Sequence, residues 1–146
     1  MASTLALAFM RWLFVLLLVA LTGCSNQPSA EQLLERYLEV SDNGELGEFE
    51  DLLAGSALQS ALRANQVMTQ LQLSQVGSTS FHSFEYASET EYVFCLDVSQ
   101  TRLIDQFGND LTPLERAEQI PMKIRIQKFG QGLRISEMDI RRYSNC

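Results

Sequence analysis

The chain has 146 residues, in which 18 Asp and Glu face 11 Lys and Arg for a formal net charge of −7, and that length holds one domain. Apolar residues make up 46% and charged residues 20%, a balance that excludes intrinsic disorder and supplies material for a core. The acidic surplus excludes a general nucleic-acid binder, because phosphate contacts need Lys and Arg in excess.

Arg11 precedes an apolar run from Trp12 to Leu21, followed by Thr22, Gly23 and Cys24. The run is ten residues long, whereas crossing a hydrocarbon core takes about 20 helical residues, so it reads as a secretory signal. Leu21, Thr22, Gly23 and Cys24 resemble the lipobox of bacterial lipoproteins at every position. The resemblance implies that residues 1–23 are a signal peptide and that Cys24 becomes the first residue of the mature chain. Its sulfur would carry a diacylglycerol, holding the protein at the extracytoplasmic face of the cell membrane; two or three acyl chains anchor stably where one does not. The competing readings are a transmembrane helix that absorbs Arg11 and a secreted chain in which Cys24 is a half-cystine. Residues 24–28 form a polar tether, and Ser25 to Ser29 reach at most about 18 Å when extended. The domain, residues 29–146, is therefore expected close to the bilayer.

Ser29, Ala30, Glu31 and Gln32 spell a capping box, with Ser29 as N-cap. Leu33, Leu34, Tyr37, Leu38 and Val40 follow at helical spacing, while Glu31, Glu35, Arg36 and Glu39 cover the other side. Ser41 to Gly44 ends this helix. A second helical stretch is expected over Glu48 to Leu53. After Gly55 a third runs from Ser56 to Leu73, carried by Leu58, Leu62, Val67, Met68 and Leu71.

From Gly77 the pattern changes to period two. His82, Phe84 and Tyr86 alternate with Phe81, Ser83 and Glu85; Tyr92, Phe94, Leu96 and Val98 alternate with Glu91, Val93, Cys95 and Asp97. A third strand is expected from Thr101 to Phe107, ended by Gly108, Asn109 and Asp110. Beyond Thr112 and Pro113, Ile120, Met122, Ile124 and Ile126 alternate with Pro121, Lys123, Arg125 and Gln127, and Gly130 to Gly132 turns the chain into Leu133 and Ile135. The apolar parity then shifts to Met138 and Ile140, which predicts a bulge near Ser136. Helices first and an antiparallel meander afterwards predict an α+β domain, its N-terminal helices packed on a curved antiparallel sheet of about four to six strands. This order resembles the nuclear-transport-factor-2-like, or cystatin-like, α+β roll. It is also similar to small actinobacterial lipoproteins, through Cys95 to Ser99, Gly108, Pro121 to Ile126 and Cys146. That roll hosts enzymes, binding modules and scaffolds alike.

With Cys24 assigned to lipid, Cys95 and Cys146 remain, and an even number outside the cytoplasm predicts one disulfide. A catalytic thiol would need a His partner, and the chain holds only His82. Metal-ligand spacing and cofactor motifs are missing from the sequence, so neither metal nor cofactor is expected. His82 and Asp97, on neighbouring strands, are the candidates for a general-base dyad. The competing reading is a surface His and a surface Asp, since Asp97 shares the parity of Cys95. Asp105 to Asp110 reads as a turn rather than a calcium loop, and the serines around Ser78 and Ser99 lack a nucleophile elbow. Phe81, Phe84, Tyr86, Tyr92 and Phe94 either line a ligand pocket or fill the core.

Charge is polarised along the mature chain: residues 24–97 hold 12 acidic and 2 basic side chains, residues 98–146 hold 6 and 8. Lys123 and Arg125 share one strand face, and Arg134 lies across the hairpin, predicting a basic outer strip for anionic headgroups or a partner. The alternative is a solvated sheet face. The expected function is a lipid-anchored, non-catalytic binding or interaction module at the cell envelope. Its contacts would be the membrane, through Cys24, and an envelope protein, not nucleic acid. The rivals are a pocket enzyme using His82 and Asp97 and a carrier of a small apolar ligand.

Overall fold

A computed structural model of the chain describes residues 27–142 and 145–146; the expected signal peptide, Cys24 and the part of the expected tether before Gln27 lie outside the described residues. Helix α1 (Ala30–Asn43) begins as the capping box predicts. The Ser29 hydroxyl accepts from the Gln32 amide at 3.2 Å, and the Gln32 side chain accepts from the Ser29 amide at 2.9 Å. Leu33, Leu34, Leu38 and Val40 form its buried stripe. The helix stops at Gly44, whose φ of 71° lies in the left-handed region where a Cβ is disfavoured. A 3₁₀ turn (Leu46–Glu48) leads into the short α2 (Phe49–Leu52) and then α3 (Gly55–Gln70).

The main sheet has four strands, β2 (Ser80–Ser88), β3 (Glu91–Asp97), β5 (Gln119–Phe129) and β6 (Gly132–Ile140), in that order across the sheet and antiparallel throughout. A separate two-stranded ribbon pairs β1 (Leu73–Val76) with β4 (Arg102–Asp105). The α+β class stands, with two corrections. The third helix ends at Gln70 rather than Leu73: Gln72 takes a φ of 54°, and Leu73 opens a strand. The strand expected over 101–107 is limited to 102–105 and leaves the meander for the ribbon. Its departure is fixed at Gly77, where φ is 94° and an added Cβ would collide with the Gln100 carbonyl.

The core lies between the helices and one face of the main sheet. Leu34, Val40, Leu53, Ile124 and Ile135 are its most completely buried members. Burial of each such side chain contributes about 1.5–3 kcal/mol. The register of the sheet shifts at three places, once between β5 and β6 and twice along β2, the last between Tyr86 and Ser88. On β6, Arg125 pairs with Glu137 and Ile126 with Ile135, leaving Ser136 unpaired as the parity shift predicts; its hydroxyl donates to the Arg125 carbonyl at 3.2 Å. On β2 the register steps between His82 and Glu85, where Ser83 has a φ of 56°. This second bulge turns both Phe81 and Phe84 toward the core, so the strict alternation expected for β2 does not hold.

Candidate functional site

The bulge at Ser83 decides the fate of the His82 and Asp97 pair. His82 stands opposite Cys95, and Asp97 opposite Ser80, so both project from the outer face of the sheet, and His82 is exposed. His82 therefore does not share the inner face with Phe84, as simple alternation would have it. The Asp97 carboxylate accepts the Ser99 amide at 2.9 Å. Hydrogen bonds from Ser99, with the nearby His82 adding to them, hold the Asp97 carboxyl below the usual carboxylate range. Asp97 thus caps the turn that follows β3, and among the described residues no hydrogen bond joins it to His82. A general base needs hydrogen-bond reach to its substrate proton, whereas His82 stands exposed on the sheet face and the Asp97 carboxylate is engaged by its own turn.

Cys95 also lies on the outer face, yet it is only 7% exposed. The C-terminal residue covers it: Cys95 and Cys146 are at disulfide distance, with their Cα atoms 5.6 Å apart. Lys123 and Arg125 share this face as predicted, but they are not a free basic strip. The register places Glu91 opposite Arg125 and Arg125 opposite Glu137. Arg125 bonds Glu91 at 2.8 Å and Glu137 at 2.6 Å, and Lys123 reaches Glu91 at 3.3 Å. Arg125, and secondarily Lys123, hold the Glu91 carboxyl below its ordinary range, while Glu91 first and Glu137 next raise the Arg125 guanidinium. The two cations are spent inside the sheet's own charge ladder. Arg134 pairs with Gln127, farther along the hairpin.

The strand aromatics pack on the core and on one another, with Phe81 and Tyr92 each also reaching the wall of a surface cleft. Phe84 stacks on Tyr92 with centroids 5.2 Å apart, and Phe81 meets Phe84 and Phe94 edge-on at 5.8 Å. Tyr86 is the exception, 67% exposed at the sheet margin. A cleft of about 490 Å³ opens elsewhere, between α1, α3 and the ribbon, with Tyr37, Phe49, Met68, Leu73 and Leu103 among its walls. Its titratable members are Tyr37 and Asp42. Burial pushes the Tyr37 hydroxyl up, against a hydrogen bond with Ser41. Asp42 accepts the Thr79 amide at 2.6 Å, the Thr79 hydroxyl at 2.7 Å and the Gln75 side chain at 2.9 Å. With its carboxylate so engaged, the cleft has room for a small ligand and no free acid–base pair.

Two polar clusters organise the connection between β3 and β5, and the first lies beyond the reach of sequence reasoning. The Arg116 guanidinium donates to the Val98 carbonyl at 2.8 Å, the Thr101 carbonyl at 2.7 Å and the Thr101 hydroxyl at 3.0 Å. Nothing in the local pattern of Arg116 signals this, because its partners lie 15 and 18 residues away. Asp105 closes the predicted turn by accepting the Phe107 and Asn109 amides, each at 2.8 Å. The turn presents Phe107 at 80% exposure, and Leu111 and Leu114 follow it into solvent at 52% and 102%. Among the described residues no group of three or more His, Cys, Asp or Glu is placed to hold a metal ion, and no helix is long and apolar enough to cross a membrane.

These elements define the class, an α+β domain with helices on one face of an antiparallel sheet. No family model and no curated protein matches the chain. Among solved structures it is similar to the intermembrane space region of chloroplast protein ARC6, with a TM-score of 0.55 and 15% identity over 77% of this chain and 93% of that one. At that identity the likeness is one of fold.

Proposed function

We propose that this chain is a lipid-anchored, extracytoplasmic lipoprotein of the cell envelope that acts without catalysis as a binding module. The observation that carries the reading is a contrast. The buried face of α1 packs on the main sheet around Leu34, Val40, Ile124 and Ile135, and the cleft of about 570 Å³ at the α1–β2 margin is walled by Glu31, Glu35 and Glu39, whereas Phe107, Leu111 and Leu114 stand exposed within one short segment. Apolar side chains gathered outside a filled core mark a contact surface. The address rests on the lipobox resemblance at Leu21 to Cys24. The Cys95 and Cys146 pair at disulfide distance supports an oxidising compartment. The proposal takes the nuclear-transport-factor-2-like roll as parent fold, for which helices preceding an antiparallel sheet are the supporting feature. The pocket enzyme built on His82 and Asp97 has no supporting geometry.

The address is tested by Cys24→Ala, which is expected to abolish incorporation of labelled palmitate and to release the protein from membranes; an unlabelled wild type would refute it. The contact surface is tested with a photo-crosslinking residue at Phe107 or at Glu35 on α1. Discrete adducts from the first position alone are expected, and the same adducts from both would overturn the reading. The cleft beside Tyr37 favours a second reading, carriage of a small apolar ligand. Organic extraction of the purified protein should then yield one molecule that a cleft-filling Ala64→Trp variant lacks.

A further inference from the structure

The described chain enters at one pole of the main sheet. The Gln27 side-chain amide donates to the Gln131 carbonyl at 3.1 Å, in the turn between β5 and β6. Pro28 and Ser29 share a shallow cleft there with Thr90, Lys128 and Leu133, and Glu89 is its acidic member. Only Ser25 and Asn26 separate Gln27 from Cys24, so a group attached at Cys24 stays within about 11 Å of Gln27 even at full extension. Lys128 and Arg134 flank the same turn and, among the described residues, are in no ion pair, unlike Lys123 and Arg125. Phe129 at the turn is 38% exposed. The other pole is where β3 ends at Asp97 opposite the start of β5 at Gln119. The connection bearing Phe107, Leu111 and Leu114 emerges there.

We propose that the turn between β5 and β6 is a membrane-contacting tip. Phe129 enters the interfacial region and Lys128 and Arg134 meet anionic headgroups of the bilayer that holds Cys24, so that the segment from Phe107 to Leu114 faces away from it. The proposal rests on the lipid-anchor reading and deepens it. A contact of this size is weak for a free protein, but a tether of three links makes it intramolecular, and effective concentration then substitutes for area. The basic contact foreseen on the open face of β5 is thereby moved to the end of the same hairpin, where the cations are not already paired. The orientation also explains how the binding segment stays available while the lipid holds the domain down.

The experiment uses the sole tryptophan, Trp12, which precedes Cys24 and is absent from the processed chain. Full-length Phe129→Trp and Phe107→Trp chains are expressed for processing, purified from membranes and reconstituted in phosphatidylcholine–phosphatidylglycerol vesicles with brominated acyl chains. The Phe129→Trp reporter should lose emission and shift to the blue, and the loss should shrink when Lys128 and Arg134 are both changed to Gln. The Phe107→Trp reporter should be unaffected. Intact mass of the same samples reads the diacylglycerol on Cys24. Lipid present with no quenching at position 129, or equal quenching at both positions, overturns the tip alone; lipid absent overturns the anchor reading and the tip with it. With unsubstituted protein, trypsin cleavage after Lys128 should slow on vesicles relative to detergent while cleavage after Arg102 does not; equal rates at Lys128 in both media would also refute the tip.

Discussion

Ile124 and Ile135 in the main sheet are wholly buried, whereas in the ribbon Leu103 and Ile104 are half-buried and Val76 is 45% exposed. The ribbon instead relies on directed polar contacts. Asp42 grips Thr79 and Gln75, the Thr112 hydroxyl accepts the Leu103 amide at 2.9 Å, and Arg116 gathers the carbonyls of the preceding turn. Apolar burial is non-directional and shared among many neighbours. A hydrogen-bonded clasp is asymmetric: removing one partner strands the other. One small domain therefore contains two regions that should fail in different ways.

The largest effect is expected in the sheet. Ile135→Ala opens a cavity at a fully buried position and should cost about 3–4 kcal/mol of unfolding free energy, read from urea denaturation. Next comes the Cys95 and Cys146 pair, which closes a separation of 51 residues. Cys146→Ser should cost about 2–4 kcal/mol in the chain-entropy picture, and thiol titration of unreduced wild type should find neither sulfhydryl free. Asp42→Ala should cost about 2 kcal/mol, from charge-assisted hydrogen bonds lost and donors stranded. Its signature is regional: hydrogen exchange should speed in β1 and β4 and stay slow in β3 and β5. Uniform acceleration would show that ribbon and sheet open together and would erase the distinction drawn here.

The smallest effect belongs to the charge ladder. The folded pKa of Glu91 is depressed by Arg125 and Lys123, so its contribution is present above the ordinary carboxylate pKa, near 4.5. It is lost as pH falls through the lower folded value. Glu91→Gln should therefore lower the urea midpoint at pH 7, by the least of these changes, and leave it unaltered in acid. Added salt should narrow the difference at pH 7.

What the sequence disclosed follows from the range of the forces involved. The α1 capping box is made of neighbours, so Ser29 and Gln32 were readable at once. The Ser136 bulge was readable because apolar parity broke between Ile135 and Met138. The Ser83 bulge left a comparable mark, Phe81 and Phe84 at a spacing of three within a period-two stretch, but Tyr86, two residues after Phe84, fitted unbroken alternation and drew His82 to the inner face with it. Leu73 reads as the end of the third helix and Ser74 to Val76 as no strand, because their partner strand lies about 30 residues away. Lys123 and Arg125 looked free for a similar reason: Glu91 and Glu137 become their neighbours only through strand register. The polar grip of Arg116 had no local trace at all.

The two margins of the main sheet differ from its middle in one further respect. At β6, Leu53 bridges Ile135, and the Ala54 amide takes the Ile135 carbonyl at 2.9 Å. At β2 the left-handed Ser83 breaks the row of outward amides and carbonyls. Neither edge offers an uninterrupted template for an incoming strand, the usual route by which β-rich chains recruit their own copies into aggregates. For a protein concentrated in two dimensions by its anchor, as proposed, this means that crowding brings copies side by side without fusing their sheets.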